Sequence, residues 1–301
     1  MINSLLRKIN RKNFLVRFVK KITGKFVFYK KIRLNNTKYK IPIVNNIGYG
    51  YFPNDESNWM SVLFYKLSEI KKSTFIDIGA NIGQTLLQFR SIFNELSYIA
   101  FEPNPSCIYY MKYLIEKNKI KNVSLIPAGL YNKNCLMDLF MESDIDAGAT
   151  IRLETRPDFM HENKKIVPMF DFATVIDFVK LKEIGIIKID VEGAECEVLK
   201  SIKSHLQEYK PFIICEVLWA HNKDCLESNE TRNRSIENLM EEENYSIFQI
   251  IKNRNQNEIE GLLHIKKFEN KIITLDNRDL CDYIFIHNTY IKQLNMIFHQ
   301  C

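Results

Sequence analysis

Acidic residues are missing from the first 54 positions, which hold 13 lysines and arginines before Asp55 supplies the first carboxylate. The remainder carries 29 basic and 36 acidic residues, so the overall charge of +6 conceals a mildly acidic body with a basic arm. No C-x-x-C pair occurs among the seven cysteines, at 107, 135, 196, 215, 225, 281 and 301. Their odd number, and the placing of Cys215 inside the apolar run "FIICEV", read as reduced, core-filling thiols in the cytosol rather than a disulfide framework. Glycine and proline are sparse, at 10 and 8 of 301 residues, while 46% of the chain is hydrophobic; collagen-like, fibrous and disordered classes are excluded. No apolar run reaches the ~18 residues of a membrane span. The N-terminus shows no uninterrupted apolar segment before a small-residue cleavage site, so a secretory leader is not expected. The six histidines show no H-x-x-x-H spacing for zinc, and P-loop and nucleophile-elbow motifs are lacking.

What is present begins with the arm, residues 1–54. Leu5, Leu6, Ile9, Phe14, Leu15, Phe18, Val19 and Ile22 recur at helical spacing with Arg7, Lys8, Arg11, Lys12, Arg17, Lys20 and Lys21 between them. That pattern predicts a basic amphipathic helix, either docked on its own domain or lying on an anionic membrane face. Residues 55–301 form the body. From residue 74 short β-branched runs alternate with helical stretches: "TFIDI", "YIAFE", "VSLIP", then a less regular insert over about 131–170, then "IIKID", "FIICEV", "YSIFQII" and "DYIFIH". Strands of this kind separated by helices predict an α/β, doubly wound sheet, parallel and covered on both faces.

"FIDIGANIGQT", residues 75–85, is the most informative stretch. A strand ends at Asp77-Ile78 and Gly79-Ala80-Asn81-Ile82-Gly83 turns into a helix, where such sheets bind ligands. A dinucleotide calls for G-x-G-x-x-G, whose amides face a pyrophosphate. Here the spacing is D-x-G-x-x-x-G, with a carboxylate that would repel phosphate and orient a cationic nucleoside; S-adenosylmethionine fits that description. Glu102 closes the next strand, 25 residues on, where an acid accepts hydrogen bonds from both ribose hydroxyls. After the third strand Ala128 and Gly129, with Leu130, stand where an adenine would lie.

"FIDIGANIGQT", "AFEPNP" and "IIKIDVEGAECEVL", in this order and spacing over residues 73–218, resemble the FkbM family of class I S-adenosylmethionine-dependent methyltransferases. The resemblance implies a Rossmann-like, seven-stranded sheet whose last strand is antiparallel. It also implies O-methylation of a hydroxyl on a sugar, surface glycan or related metabolite. The reduced thiols and the basic arm lead to the expectation of a cytoplasmic protein, peripheral at the inner membrane face through that arm, with no nucleic-acid partner. "TVID" keeps Thr174 and Asp177 but places Ile176 where the family commonly has an acid. N-methylation on the same fold is an alternative, as is a non-catalytic membrane- or polyanion-binding protein with a degenerate methyltransferase fold.

The acids of "KIDVEGAE" bear on the chemistry. An alcohol acceptor needs a base within hydrogen-bond reach. Asp190, at the end of the fourth strand, is the first candidate; Glu192 on the following turn, Glu216 ending the fifth strand and His221 beyond it are the others. Glu195 is favoured by the helix dipole whatever the function. Asp190, Glu192 and Glu195 could also grip a divalent cation, a less favoured option because Gly193 interrupts strand alternation. The insert, with Arg152 and Arg156, is the expected source of acceptor contacts.

Overall fold

In the computed structural model, residues 28–298 are described apart from 45, 46, 49, 51, 53–58, 153–162, 254, 256, 257 and 275. The chain runs through β1 (Phe28–Leu34), β2 (Thr37–Ile43), α1 (Trp59–Ile70), β3 (Thr74–Ile78), α2 (Gln84–Arg90), β4 (Tyr98–Phe101), α3 (Pro105–Asn118) and β5 (Val123–Ile126). β6 (Gly129–Leu130) follows, and the insert contributes β7 (Cys135–Met141) and β8 (Asn163–Phe170). Then come α4 (Phe172–Val179), β9 (Ile184–Ile189), α5 (Glu195–Tyr209), β10 (Phe212–Glu216), α6 (Leu226–Glu242), β11 (Tyr245–Lys252), β12 (Ile259–Ile265), β13 (Asp282–His287) and α7 (Ile291–Phe298).

The main sheet has the order β12-β11-β13-β10-β9-β3-β4-β5. Its five strands from β10 to β5 pair in parallel, and β13 runs antiparallel to both neighbours. The resemblance implied seven strands with the last antiparallel; the antiparallel last strand is there, but the sheet has eight. The extra strand is β12, which pairs antiparallel with β11 at the edge. Its sequence "IEGLLHI" alternates poorly and none of its residues is buried, so it carries no strand signal of the kind that marks its buried neighbours.

Burial explains why the other strands were legible. Every residue of β4 and β9 is buried, as are four of five in β3 and β10. A strand covered on both faces must be apolar throughout. One layer of helices, α4, α5 and α6, packs with Ile76, Ile189 and Ile213 of the sheet. The opposite layer joins α1, α2 and α7 to Phe75, Tyr98 and Phe212. Local signals set the helix starts: Asn104 caps α3 by accepting from the Ser106 amide ahead of Pro105, and Asp171 caps α4 by accepting from Thr174 N–H.

Strands β6, β8 and β7 form a separate three-stranded sheet. Its buried residues, Leu139, Met141, Val167 and Met169, form their own cluster with Ala149 and Ile151 of the insert. Residues 28–43 of the basic stretch form the β1–β2 hairpin, which packs through Ile32, Tyr39 and Ile41 against Cys107, Tyr110 and Leu114 of α3. Tyr110 Oη fixes it by donating to the Pro42 carbonyl at 2.7 Å. The amphipathic helix expected over Leu5–Ile22 lies outside the described residues. No described helix is long and apolar enough to cross a membrane.

Glu195 is fully buried at the start of α5, where it accepts from Gly193 N–H at 2.7 Å and faces Arg232 of α6 at 3.5 Å. Arg232 in turn donates to the Leu218 carbonyl. Burial raises the Glu195 pKa, and the Arg232 charge works against that rise. Replacing Arg232 with Ala leaves a buried carboxyl without its counter-charge. The expected loss is about 3 kcal/mol, the lower end for a broken buried pair because Glu195 can take up a proton. Chemical denaturation checks this; a change under about 1 kcal/mol would show the pair to be idle.

Candidate active site

The site lies where the strand order reverses, between β3 and β9. As β3 ends, the backbone bends through Gly79 at φ +88° and Asn81 at φ +47° before Gly83 at φ +94° leads into α2. The Gly79 and Ala80 amides both donate to the Phe101 carbonyl of β4 at 3.0 Å, which pins the turn to the neighbouring strand. A Cβ on Gly79 would stand 1.8 Å from the Asp190 carbonyl oxygen. Only glycine fits between the ends of β3 and β9.

Glu102 follows β4 and is 6% exposed. Its two carboxylate oxygens accept from Asn81 N–H at 2.7 Å and Asn104 N–H at 2.8 Å. Burial raises its pKa to about 7 although both amides pull it down. A cavity of about 300 Å³ opens beside it, lined by Gly79, Ala80, Asn81, Glu102 and Gly129 among others, with Asp190, Glu192 and Glu216 at one end. Met169 and Leu139 of the small sheet and Asp146, Ala147 and Ala149 of the insert also line it. Gln88, from α2, also lines the cavity, and its buried Oε1 has no hydrogen-bond partner.

Four sequence candidates stand elsewhere. Asp77 does not face the cavity: it is wholly buried beneath it, where Tyr98 Oη donates to Oδ2 at 2.5 Å and Lys188 Nζ lies 3.9 Å from Oδ1. The reason is register, since Asp77 sits directly across from Lys188 on the neighbouring strand. Its charge therefore meets a lysine rather than a ligand. Gly83 makes a packing contact, a Cβ there falling 3.0 Å from Leu114. Ala128 is fully buried, its amide donating to the Ile126 carbonyl. His221 lines a second cleft instead.

That cleft, of about 770 Å³, adjoins the first cavity through Met60, Lys188, Asp190, Glu192 and Glu216. Trp59, Lys252, Thr274, Arg278 and Asp282 contribute its other walls. Carboxylate oxygens of Asp190, Glu192 and Glu216 lie within 4.8 Å of one another. Burial, together with the charges of Asp190, Glu192 and Asp282, raises the Glu216 pKa well above the carboxylate range. The converging acids are thus not the sequence trio: Glu195 is spent on the start of α5, and Glu216 takes its place. These three could present oxygens to a divalent cation, but the cluster already holds Lys188, whose Nζ is 2.9 Å from Asp190 Oδ2. Arg152 pairs with Glu197 at 2.6 Å, away from both cavities, and Arg156 lies outside the described residues. Sequence reasoning passed over Lys188; its signal was a single charge inside the apolar run "GIIKID".

The family model described as "Methyltransferase FkbM domain" matches residues 77–247, more than half of the chain. The protein belongs to the FkbM methyltransferase family. Among curated proteins it is similar to Methyltransferase 1 of Beauveria bassiana, 25% identical over 145 residues that make up 43% of this chain and 58% of that protein. It is likewise similar to methyltransferase sdnD of Sordaria araneosa, 25% identical over 180 residues, 50% of this chain and 69% of the relative. Among solved structures, an FkbM methyltransferase from Methylobacillus flagellatus KT aligns over 77% of this chain and 48% of its own, at 13% identity and a TM-score of 0.42.

S-adenosylmethionine is the cofactor that the family resemblance implies, and the residues around the first cavity fit it. The glycine corner brings Gly79, Ala80 and Asn81 into the cavity wall, and Glu102 beside them offers a buried carboxylate with lone pairs to spare.

Proposed function

We propose that the protein is an S-adenosylmethionine-dependent O-methyltransferase acting on a hydroxyl of a sugar, surface glycan or related hydroxylated metabolite. The observation that carries the reading is the meeting of cofactor cavity and second cleft at Asp190, with Lys188 on one side and Glu216 on the other. When bound, the cofactor supplies an electrophilic methyl group on a sulfonium. The chain's part is to align and to manage one proton. Asp190, its side chain 34% exposed, accepts the hydrogen bond of the acceptor hydroxyl and directs an oxygen lone pair toward the first cavity. Glu216 keeps its own proton and donates to Asp190, so the two carboxyls do not repel. Trp59 and the polar groups of the cleft hold the remainder of the acceptor.

Incubation with 13C-methyl-labelled cofactor and a panel of neutral sugars and glycan fractions, read by heteronuclear NMR, tests the reading. A methoxy carbon supports it; an N-methyl carbon, or no transfer to any hydroxylated acceptor, overturns it.

Glu102 gives a pH signature. Its ionised form accepts the two ribose hydroxyls, so binding favours the carboxylate and draws its pKa down from about 7. Affinity for S-adenosylhomocysteine is therefore expected to rise as pH rises through 7 and to weaken on acidification. The change is about tenfold for each pH unit separating the free and bound values. Calorimetric titration between pH 5.5 and 8 checks it. Glu102→Gln should flatten the profile, and an unchanged slope in that variant would refute the assignment.

A further inference from the structure

Lys188 is the one basic side chain in the wall of the first cavity among the described residues, and it stands within β9, all six of whose residues are buried. Withdrawing an ammonium from water costs several kcal/mol unless its charge is answered. Two acids answer it: Asp77, directly across on β3, and Asp190, two residues further along its own chain. Burial works to strip the proton from Lys188, but the charges of Asp190 and Asp77 outweigh it and raise the pKa.

The geometry separates two roles. If Lys188 served only to neutralise Asp77, the hydrogen bond would go to its partner in register. Instead Nζ lies 3.9 Å from Asp77 Oδ1 and reaches past it to Asp190 Oδ2 at 2.9 Å. Asp77 is otherwise held from the far side by Tyr98 Oη. We infer that Lys188 is a positioning residue for methyl transfer: anchored from below by Asp77, its ammonium holds Asp190 charged and turned toward the junction of cavity and cleft. This inference rests on the reading of Asp190 as the group that receives the acceptor hydroxyl.

The surroundings give Lys188 this leverage. Glu216 faces Asp190 from β10 and Glu192 from the turn after β9, while Asp282 approaches from β13, itself paired with Lys252 of β11. Asp190 therefore has acids on several sides and Lys188 as its nearest counter-charge. With the ammonium gone, Asp190 loses the charge that favours its ionised form and takes up a proton more readily.

The test needs no acceptor, so its failure is distinct from failure of the proposed O-methylation. Full-length protein with 13C-carboxyl-labelled aspartate is titrated by NMR in the presence of S-adenosylhomocysteine, the Asp190 resonance being assigned with Asp190→Asn. Lys188→Met is expected to move the Asp190 midpoint up by at least about one pH unit, a tenfold loss of the ionised form at a fixed pH below it. Lys188→Arg, which keeps the charge, leaves the midpoint near that of the wild type. An unmoved midpoint in Lys188→Met, or an equal shift in Lys188→Arg, overturns the proposal. Should Lys188→Met fail to fold, the double variant Asp77→Asn, Lys188→Met removes both halves of the buried pair and should show the same shift. Collapse of the double variant as well would make the ammonium a requirement for folding rather than a setting of Asp190, and the proposal would fall.

Discussion

Gly79→Ala is expected to weaken S-adenosylhomocysteine binding by more than 100-fold. Two costs combine in that variant. The residue sits at φ +88°, where an L side chain is strained by about 1–3 kcal/mol. The new Cβ would also stand 1.8 Å from the Asp190 carbonyl oxygen, a distance no real contact reaches. The overlap is with backbone, so no side-chain rotation relieves it. Either the Gly79 turn or the end of β9 must move, and the turn carries Asn81, whose amide orients Glu102. Separation at this point thus spoils the cavity and misaligns Asp190 together. About 3 kcal/mol spent on restoring the bound geometry corresponds to roughly two orders of magnitude in affinity. Isothermal titration, with circular dichroism to confirm that the sheet persists, measures it. Affinity within tenfold of the wild type would show that the turn is not part of the cofactor site.

The second large effect is expected at the junction of the two cavities. Asp190→Asn keeps the size of the side chain but removes its charge and its basicity. Loss of a positioned base typically costs between 10² and 10⁴ in turnover, about 3–5 kcal/mol in the barrier. Binding of S-adenosylhomocysteine should change little, because the glycine corner and Glu102 are untouched. Lys188 keeps Asp77 as a counter-charge in the variant, so the fold is expected to survive. Labelled-methyl transfer compared with calorimetric affinity separates the two quantities. If turnover falls only as far as affinity does, Asp190 belongs to the cofactor site and some other group receives the proton.

The sequence foretold much of the scaffold because burial on both faces leaves strands few options. "TFIDI" and "DYIFIH" became strands over the expected residues. Where strands are half exposed the reading lost definition. The insert reads as irregular in the sequence, yet it holds the antiparallel pair β7–β8, whose Leu139 and Met169 line the first cavity. β12 went unnoticed for the same reason, an edge strand having no need of an apolar run. Glu102 and the glycine turn were legible because each sits at the end of a strand, where a short motif fixes both residue and place.

Asp77 marks the boundary between the two kinds of information. The chain itself determined that a carboxylate precedes the glycine bend, that an acid closes the next strand, and that Asp190 ends a buried one, since spacing along a strand is a covalent property. Which of these acids lines the cavity was decided by the pairing of strands far apart in the chain. Register set Asp77 opposite Lys188 and buried both, leaving Lys188 to reach Asp190, while the β9–β10 pairing brought Glu216 to the same place and left Glu195 to Arg232. Electrostatic partnership falls off over a few ångströms, and distances that short between residues 26 to 111 positions apart exist only once the sheet has closed around them.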